Sequence, residues 1–240
     1  MFESEVSAGV LRAGRPGTRW LSTGFAGGYR RADAAYNCTV PEGFDRTDLS
    51  IYVAERRERA GFPDEGPAML TGVDLQHARR ARLDGVEAVA TAGVSNPARL
   101  PMGSERATEG EASLGDDPPR PGTVNLLVGT TRALSEGALA TLLATVVEAK
   151  TATLLAATGF TGTTSDAVVV GSDPSGEPAA FAGSATPVGR AARVCVRDAV
   201  RASLAARYDG ESGDAIPESV AAAEYGVRSD GRATVSRVGE

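Results

Sequence analysis

The sequence predicts a mixed α/β protein of the α+β class, a single domain of sheet covered by helices. Three observations carry this expectation. Short apolar runs of strand character alternate with helical patterns along the chain. The 240 residues suffice for one sizeable core. No internal repeat divides them. The single α/β domain is expected over residues 1–208, followed by a polar, acidic, part-ordered tail over 209–240.

Trp20 to Phe25 and Ala34 to Val40 read as strands separated by Gly27-Gly28. Asp48 predicts the N-cap of a helix running through Arg59, closed by Gly61 and Pro63. Ala68 to Thr71 reads as a short strand, Asp74 to Leu83 as a helix, and Val86 to Val94 as a strand. The texture then changes. Residues 100–121 are rich in Gly, Pro, Ser, Glu and Asp, too polar and too long for an ordinary connection, which predicts a mobile loop. Gly122 to Gly129 resumes as a strand. A long helix follows from Ser135 to Thr158, then a strand from Asp166 to Ser172, a turn over Pro174–Pro178, a loop over Gly183–Gly189 and a helix from Val188 to Tyr208. The pattern does not fix a strand order.

Net charge is −6, and among the 25 Lys and Arg residues Lys150 is the only lysine. That balance fits a salt-adapted or GC-rich source and argues against nucleic-acid binding. One local exception is the ridge Arg190, Arg193, Arg197 and Arg201, read as a solvated face or as an anion or partner contact. No uninterrupted apolar run is long enough to cross a bilayer, and Met1–Glu5 lacks the basic and apolar parts of a signal peptide, so the cytoplasm is expected. Cys38 and Cys195 lie far apart and imply neither a disulfide framework nor a metal site. With His77 as the one histidine, a histidine-rich zinc site or a histidine-based triad has little to work with. The P-loop, the dinucleotide fingerprint and the nucleophile elbow are all absent from the sequence.

Three constellations carry chemistry. The first is Thr91-Ala-Gly-Val-Ser-Asn-Pro97, a strand end that presents Ser95 and Asn96 on a turn. The second is Gly122-Thr-Val-Asn125, where strand alternation puts Thr123 and Asn125 on one face. A hydroxyl beside an amide serves as nucleophile with oxyanion donor, or the two simply satisfy each other. The third joins Glu148 and Lys150 to Thr161-Gly-Thr-Thr-Ser-Asp166. At about 100° per residue, Lys150 falls in the apolar stripe of Leu139, Leu142, Leu143, Val146 and Val147, with Glu148 opposite. A buried lysine acts as a general base when desolvated, or stands in a structural ion pair. Both readings stand, and Asp166 is placed to orient either group.

Thr91–Asn96, Gly122–Asn125, Glu148-Ala-Lys150 and Thr161–Asp166, taken in order, resemble the adenosylcobinamide amidohydrolase family of archaeal corrinoid salvage. Gly183 and Thr186-x-x-Gly189 resemble its last motif, except that Ser184-Ala-Thr186 stands where Thr-His-Thr is expected. The similarity runs from Leu21 to Ala205. It implies hydrolysis of adenosylcobinamide to adenosylcobyric acid and 1-amino-2-propanol. It also implies a corrinoid as small-molecule substrate and partner; no cofactor and no metal ligand is assigned, with a metal requirement and self-association left open. The candidate catalytic residues are then Thr123, Lys150, Glu148 and Asp166. Ser95, Asn96, Asn125, Thr161, Gly162, Thr163 and Thr186 are the candidates for substrate binding. A fainter similarity links the order polar loop, Gly-Thr strand, long helix, Gly/Thr loop to the self-processing aminopeptidase and ornithine acetyltransferase superfamily. That one implies αββα layers, and Thr123 as nucleophile, either intact or freed by cleavage at Gly122-Thr123. The alternatives are an N-terminal-nucleophile amidase for another amide and a non-catalytic corrinoid-binding protein.

Overall fold

A computed structural model describes residues 2–102, 123–209, 215–223 and 225–239. Its elements are β1 (Glu3–Ser7), β2 (Val10–Ser22), β3 (Gly28–Thr39), α1 (Leu49–Ala60), β4 (Ala68–Thr71), β5 (Arg79–Leu83), β6 (Val86–Ala92) and β7 (Pro97–Arg99). There follow β8 (Val124–Thr130), β9 (Ala133–Leu134), α2 (Glu136–Thr158), β10 (Gly162–Thr163), β11 (Ala167–Ser172), β12 (Pro178–Ala179), α3 (Pro187–Tyr208) and β13 (Val227–Arg228). Most of the polar loop, residues 103–121, and Gly122 lie outside the described residues.

The main sheet runs β4-β3-β2-β11-β8-β6-β5, with β1 paired to β2. Side chains alternate across a strand, so each strand here feeds two layers. From β8, Val124, Leu126 and Val128 pack with the inner faces of α2 and α3. Leu127 points the other way, into a cluster with Trp20, Ala35, Met69, Val89 and Val169. That second cluster mixes residues of β2, β3 and β4 with residues of β6, β8 and β11. The sheet therefore folds over on itself, and its two halves face each other. Hydrogen bonds from Asn125 on β8 to Asn37 on β3 and to Leu70 O on β4 cross the gap. Outside the first half, α1 covers Ala34, Tyr36 and Cys38 through Tyr52 and Val53. The result is α1, half-sheet, half-sheet, α2 with α3, the αββα stacking that the fainter resemblance implied. Trp20 is fully buried between the halves, its indole N–H on Ala32 O at 3.0 Å, so it belongs to the core.

Two stretches read differently in the structure. Residues 74–83 form a short 3-10 turn at Leu75–His77 and then strand β5. The reason is Asp84-Gly85, both at positive φ (45° and 76°), which closes a tight hairpin pairing Leu83 with Val86. The N-terminal residues, unassigned from sequence, form a second such hairpin. Ala8 and Gly9 take φ of 46° and 73°, and Ser7 pairs with Val10. Asp48 does sit at the N-cap position of α1, but its side chain makes no capping bond and instead binds Arg46.

Ser135 caps α2 by accepting from Ala138 N at 3.2 Å, and Gly159 ends it at φ 78°. By length and composition alone α2 would span a bilayer, and half of its most apolar window is buried. Leu139, Leu142, Val146 and Leu154 fill the core beneath it. The arginine ridge of α3 is exposed as expected and lines a groove of about 410 Å³ against the alanines of α2. The tail returns to the body, where Val227–Arg228 pairs in parallel with β7 and Val220 is buried. Both cysteines are free and buried. Burial pushes the thiols of Cys38 and Cys195 up to about 11, which keeps them out of nucleophilic chemistry.

Candidate active site

The parallel pairing of β8 with β11 aligns Asn125 with Ala167, so the starts of both strands meet at one edge of the sheet. The short sheet β10-β7-β13 closes this edge. It pairs Gly162 with Ala98 and Thr163 with Pro97. Through that pairing Thr91–Asn96, Thr123–Asn125, Lys150 and Thr161–Asp166 come together.

Asp166 is the hub. Its Oδ1 accepts from Val124 N at 2.9 Å and from the Thr163 hydroxyl, while its Oδ2 accepts from Thr163 N at 3.2 Å and from Lys150 Nζ. Four donors fill the lone-pair sites of a carboxylate. Asp166 is thus committed to holding the β8 terminus, the β10 loop and α2 in register. Lys150 rises from α2 into this pair, with side-chain exposures of 8% for Lys150 and 11% for Asp166. Of the two readings of Lys150, the ion pair is the one the structure contains. Gly162 is dictated by the same packing, because a Cβ there would lie 2.7 Å from Asp166 Oδ2 and 3.5 Å from Lys150 Nζ.

Thr123 stands next to the hub. Its Oγ lies 2.8 Å from Asn125 Oδ1 and 2.8 Å from the Ser165 carbonyl oxygen. One hydroxyl proton serves both acceptors. Asn125 Oδ1 also accepts from Ala167 N at 3.2 Å, and its Nδ2 donates to Leu70 O at 2.8 Å and to Asn37 Oδ1 at 2.9 Å. Both N–H bonds are taken, so Asn125 is an acceptor that orients Thr123 rather than an oxyanion donor. Asn96 is buried and joins the edge by donating from its side chain to Thr164 Oγ at 2.6 Å, and its backbone carbonyl oxygen accepts from Thr164 N at 3.2 Å. Thr161 is tied to Ala98 O by its hydroxyl at 3.1 Å. Ser95 is half-buried on the same turn.

Two sequence candidates fall elsewhere. Glu148 is exposed on the far side of α2, half a turn from Lys150. Thr186 is the N-cap of α3. Its Oγ accepts from Gly189 N at 3.0 Å and donates to Gly183 O at 2.8 Å. Thr186-x-x-Gly189 is thus a capping spacing. Its neighbour Ser184 borders the α2–α3 groove and binds Arg193. The Ala185 departure therefore lies at the start of α3, outside the Thr123 cluster.

Thr123, Ser165 and Asp166 line a cavity of about 440 Å³, with Thr23, Asp45 and Thr47 as further polar lining. Phe25, Phe44, Val40, Met69 and Leu70 supply apolar wall, and Arg46 stands among them. Arg46 is fixed by Asp48 and Glu55, with its guanidinium 5.1 Å from the Tyr52 ring centre. A largely apolar pocket with a few convergent polar groups is the usual form of a small-molecule site. Sequence reading missed these wall residues and Asn37. The one local signal for Asn37 is a carboxamide between Tyr36 and Cys38 in a strand with an otherwise apolar stretch.

The family model for adenosylcobinamide amidohydrolase matches residues 2–212. A protein named adenosylcobinamide amidohydrolase from Halobacterium salinarum is 52% identical over 239 residues, covering 99% of this chain and 100% of its own. One of the same name from Methanosarcina mazei is 29% identical over 197 residues, covering 78% and 90%. Among solved structures, a Burkholderia sp. β-aminopeptidase is 11% identical over 84% of this chain and 80% of its own, with a TM-score of 0.39. The chain belongs to the adenosylcobinamide amidohydrolase family.

Proposed function

We propose that this chain hydrolyses the amide joining the aminopropanol arm of adenosylcobinamide to its corrin, giving adenosylcobyric acid and 1-amino-2-propanol in corrinoid salvage. Family membership over nearly the whole chain supports the reaction. The single structural observation that supports a site for it is the Thr123 hydroxyl in the lining of a mostly apolar cavity. The cavity takes the amide arm, and the macrocycle lies across its rim on aliphatic and phenyl groups. The site residues are Thr123 as nucleophile, Asn125 as its orienting acceptor, and Asp166 with Lys150 as the clamp beneath. Thr163 and Gly162 complete that clamp, and Asn96 fixes the adjoining turn. The reading assigns no resident cofactor or metal and places the protein in the cytoplasm.

In this reading Thr123 Oγ attacks the amide carbon, the C–N bond breaks as the leaving amine takes a proton, and water hydrolyses the resulting ester. A base must first accept the hydroxyl proton. Among the described residues, both groups in hydrogen-bond contact with that hydroxyl, Asn125 Oδ1 and Ser165 O, are neutral carbonyl oxygens. This favours the form in which the chain is cut between Gly122 and Thr123, because the freed α-amine, with an ordinary pKa of about 8, then serves as base. A denaturing mass spectrum of the purified protein tests this directly. The expected result is two fragments, residues 1–122 and 123–240. One uncut chain of 24.6 kDa removes the cleaved form and moves the role of base to a bound water. An amidase for another substrate is distinguished by turnover of other amides with adenosylcobinamide untouched. A non-catalytic corrinoid binder is distinguished by binding without turnover.

A further inference from the structure

The side chain that orients Thr123 is itself held from behind. Two backbone groups of opposite character fix which way Asn125 faces. Leu70 O can only accept, so Nδ2 turns to it, and Ala167 N–H can only donate, so Oδ1 turns to that. The second N–H of Asn125 goes to Asn37 Oδ1. Asn37 is 4% exposed and donates in turn to Thr91 Oγ at 2.9 Å. Thr91 Oγ lies 3.5 Å from Thr71 Oγ, which accepts from Val73 N at 3.0 Å. The donors run one way: Thr123 to Asn125, Asn125 to Asn37, Asn37 to Thr91. Hydrogen bonds arranged head to tail in a low-dielectric interior polarise one another in the same sense. Asn37 is not among the residues lining the cavity, so it touches the reaction only through Asn125.

We propose that Asn37 is a positioning residue for Thr123. By accepting from Asn125 Nδ2 it locks the carboxamide whose oxygen holds the Thr123 hydroxyl proton, and this turns a lone pair of Thr123 Oγ toward the cavity. The inference rests on Thr123 being the nucleophile. No bond is made or broken at Asn37. Its contribution is direction, and misplacement of a reacting group by about 1 Å costs on the order of 10²-fold in rate.

The test is steady-state hydrolysis of adenosylcobinamide by the full chain and by Asn37→Leu, Asn37→Asp and Thr123→Val, with folding checked by thermal unfolding. Asn37→Leu is expected to lower kcat about 10²-fold with KM within about twofold of the parent. Asn37→Asp keeps the acceptor oxygen and is expected to recover at least about a tenth of parental kcat. A merely structural role would lower Tm and leave kcat per folded molecule unchanged. A folded Asn37→Leu with kcat within about threefold of the parent overturns the proposal, as do equal losses in the two Asn37 variants. If Asn37→Leu does not fold, Thr91→Val replaces it, removing the acceptor behind Asn37. A kcat lowered about tenfold then supports the proposal, and an unchanged kcat overturns it. Full turnover in Thr123→Val, or none in the parent, overturns the reading of Thr123 and this inference together. Loss in Thr123→Val with full activity in Asn37→Leu overturns the role of Asn37 alone.

Discussion

Replacing Thr123 with valine is expected to lower turnover by about 10⁴-fold or more, since loss of a nucleophile removes the covalent route and leaves only binding and polarisation. Valine keeps the shape of threonine and removes the hydroxyl that bonds Asn125 Oδ1 and Ser165 O. Asn125 Oδ1 keeps its bond from Ala167 N, so little is left unsatisfied. The cost in stability is then about 1 kcal/mol, that of one hydrogen bond. Rate assays with an unfolding curve on the same preparation separate the two effects. Full activity in Thr123→Val would remove Thr123 from the chemistry in both its cleaved and intact forms.

The second large effect is on stability. Lys150→Met leaves Asp166 as a buried carboxylate without its cation, and breaking such a pair costs about 3–5 kcal/mol. For a chain of this size that lowers Tm by roughly 6–20 °C. Turnover falls with it, because Asp166 holds Val124 N next to Thr123. The double variant Lys150→Met with Asp166→Asn removes the stranded charge and is expected to melt above the single variant. A Lys150→Met protein with unchanged Tm and no activity would instead make Lys150 a participant in proton transfer.

Much of the site was legible because its parts are local. Lys150 announced its burial by its angle on the α2 stripe, and the loop joined to it in sequence, Thr161–Asp166, carries its partner Asp166. Strand alternation alone put Thr123 and Asn125 on one face, and their hydrogen bond follows from it. What sequence could not supply was the other half of the sheet. Asn37 reaches Asn125 across 88 residues of chain, and only the folding of β3 over β8 brings them together. The same fold puts Phe25, Phe44 and Met69 above Thr123, with nothing in their own neighbourhoods to mark them. Glu148 was drawn in by its nearness to Lys150 along the chain, although its helical angle already put it on the opposite face. Thr186 shows the converse, since its spacing to Gly189 serves helix capping. The helix expected over residues 74–83 gives way to β5, because Asp84-Gly85 closes a hairpin between Leu83 and Val86.

The measurement that bears most directly on the central claim is incubation of the purified protein with adenosylcobinamide in high salt, followed by mass spectrometry of the small molecules. The account predicts adenosylcobyric acid and free 1-amino-2-propanol in equal amounts. Unchanged adenosylcobinamide, with the protein shown folded by circular dichroism, would contradict it.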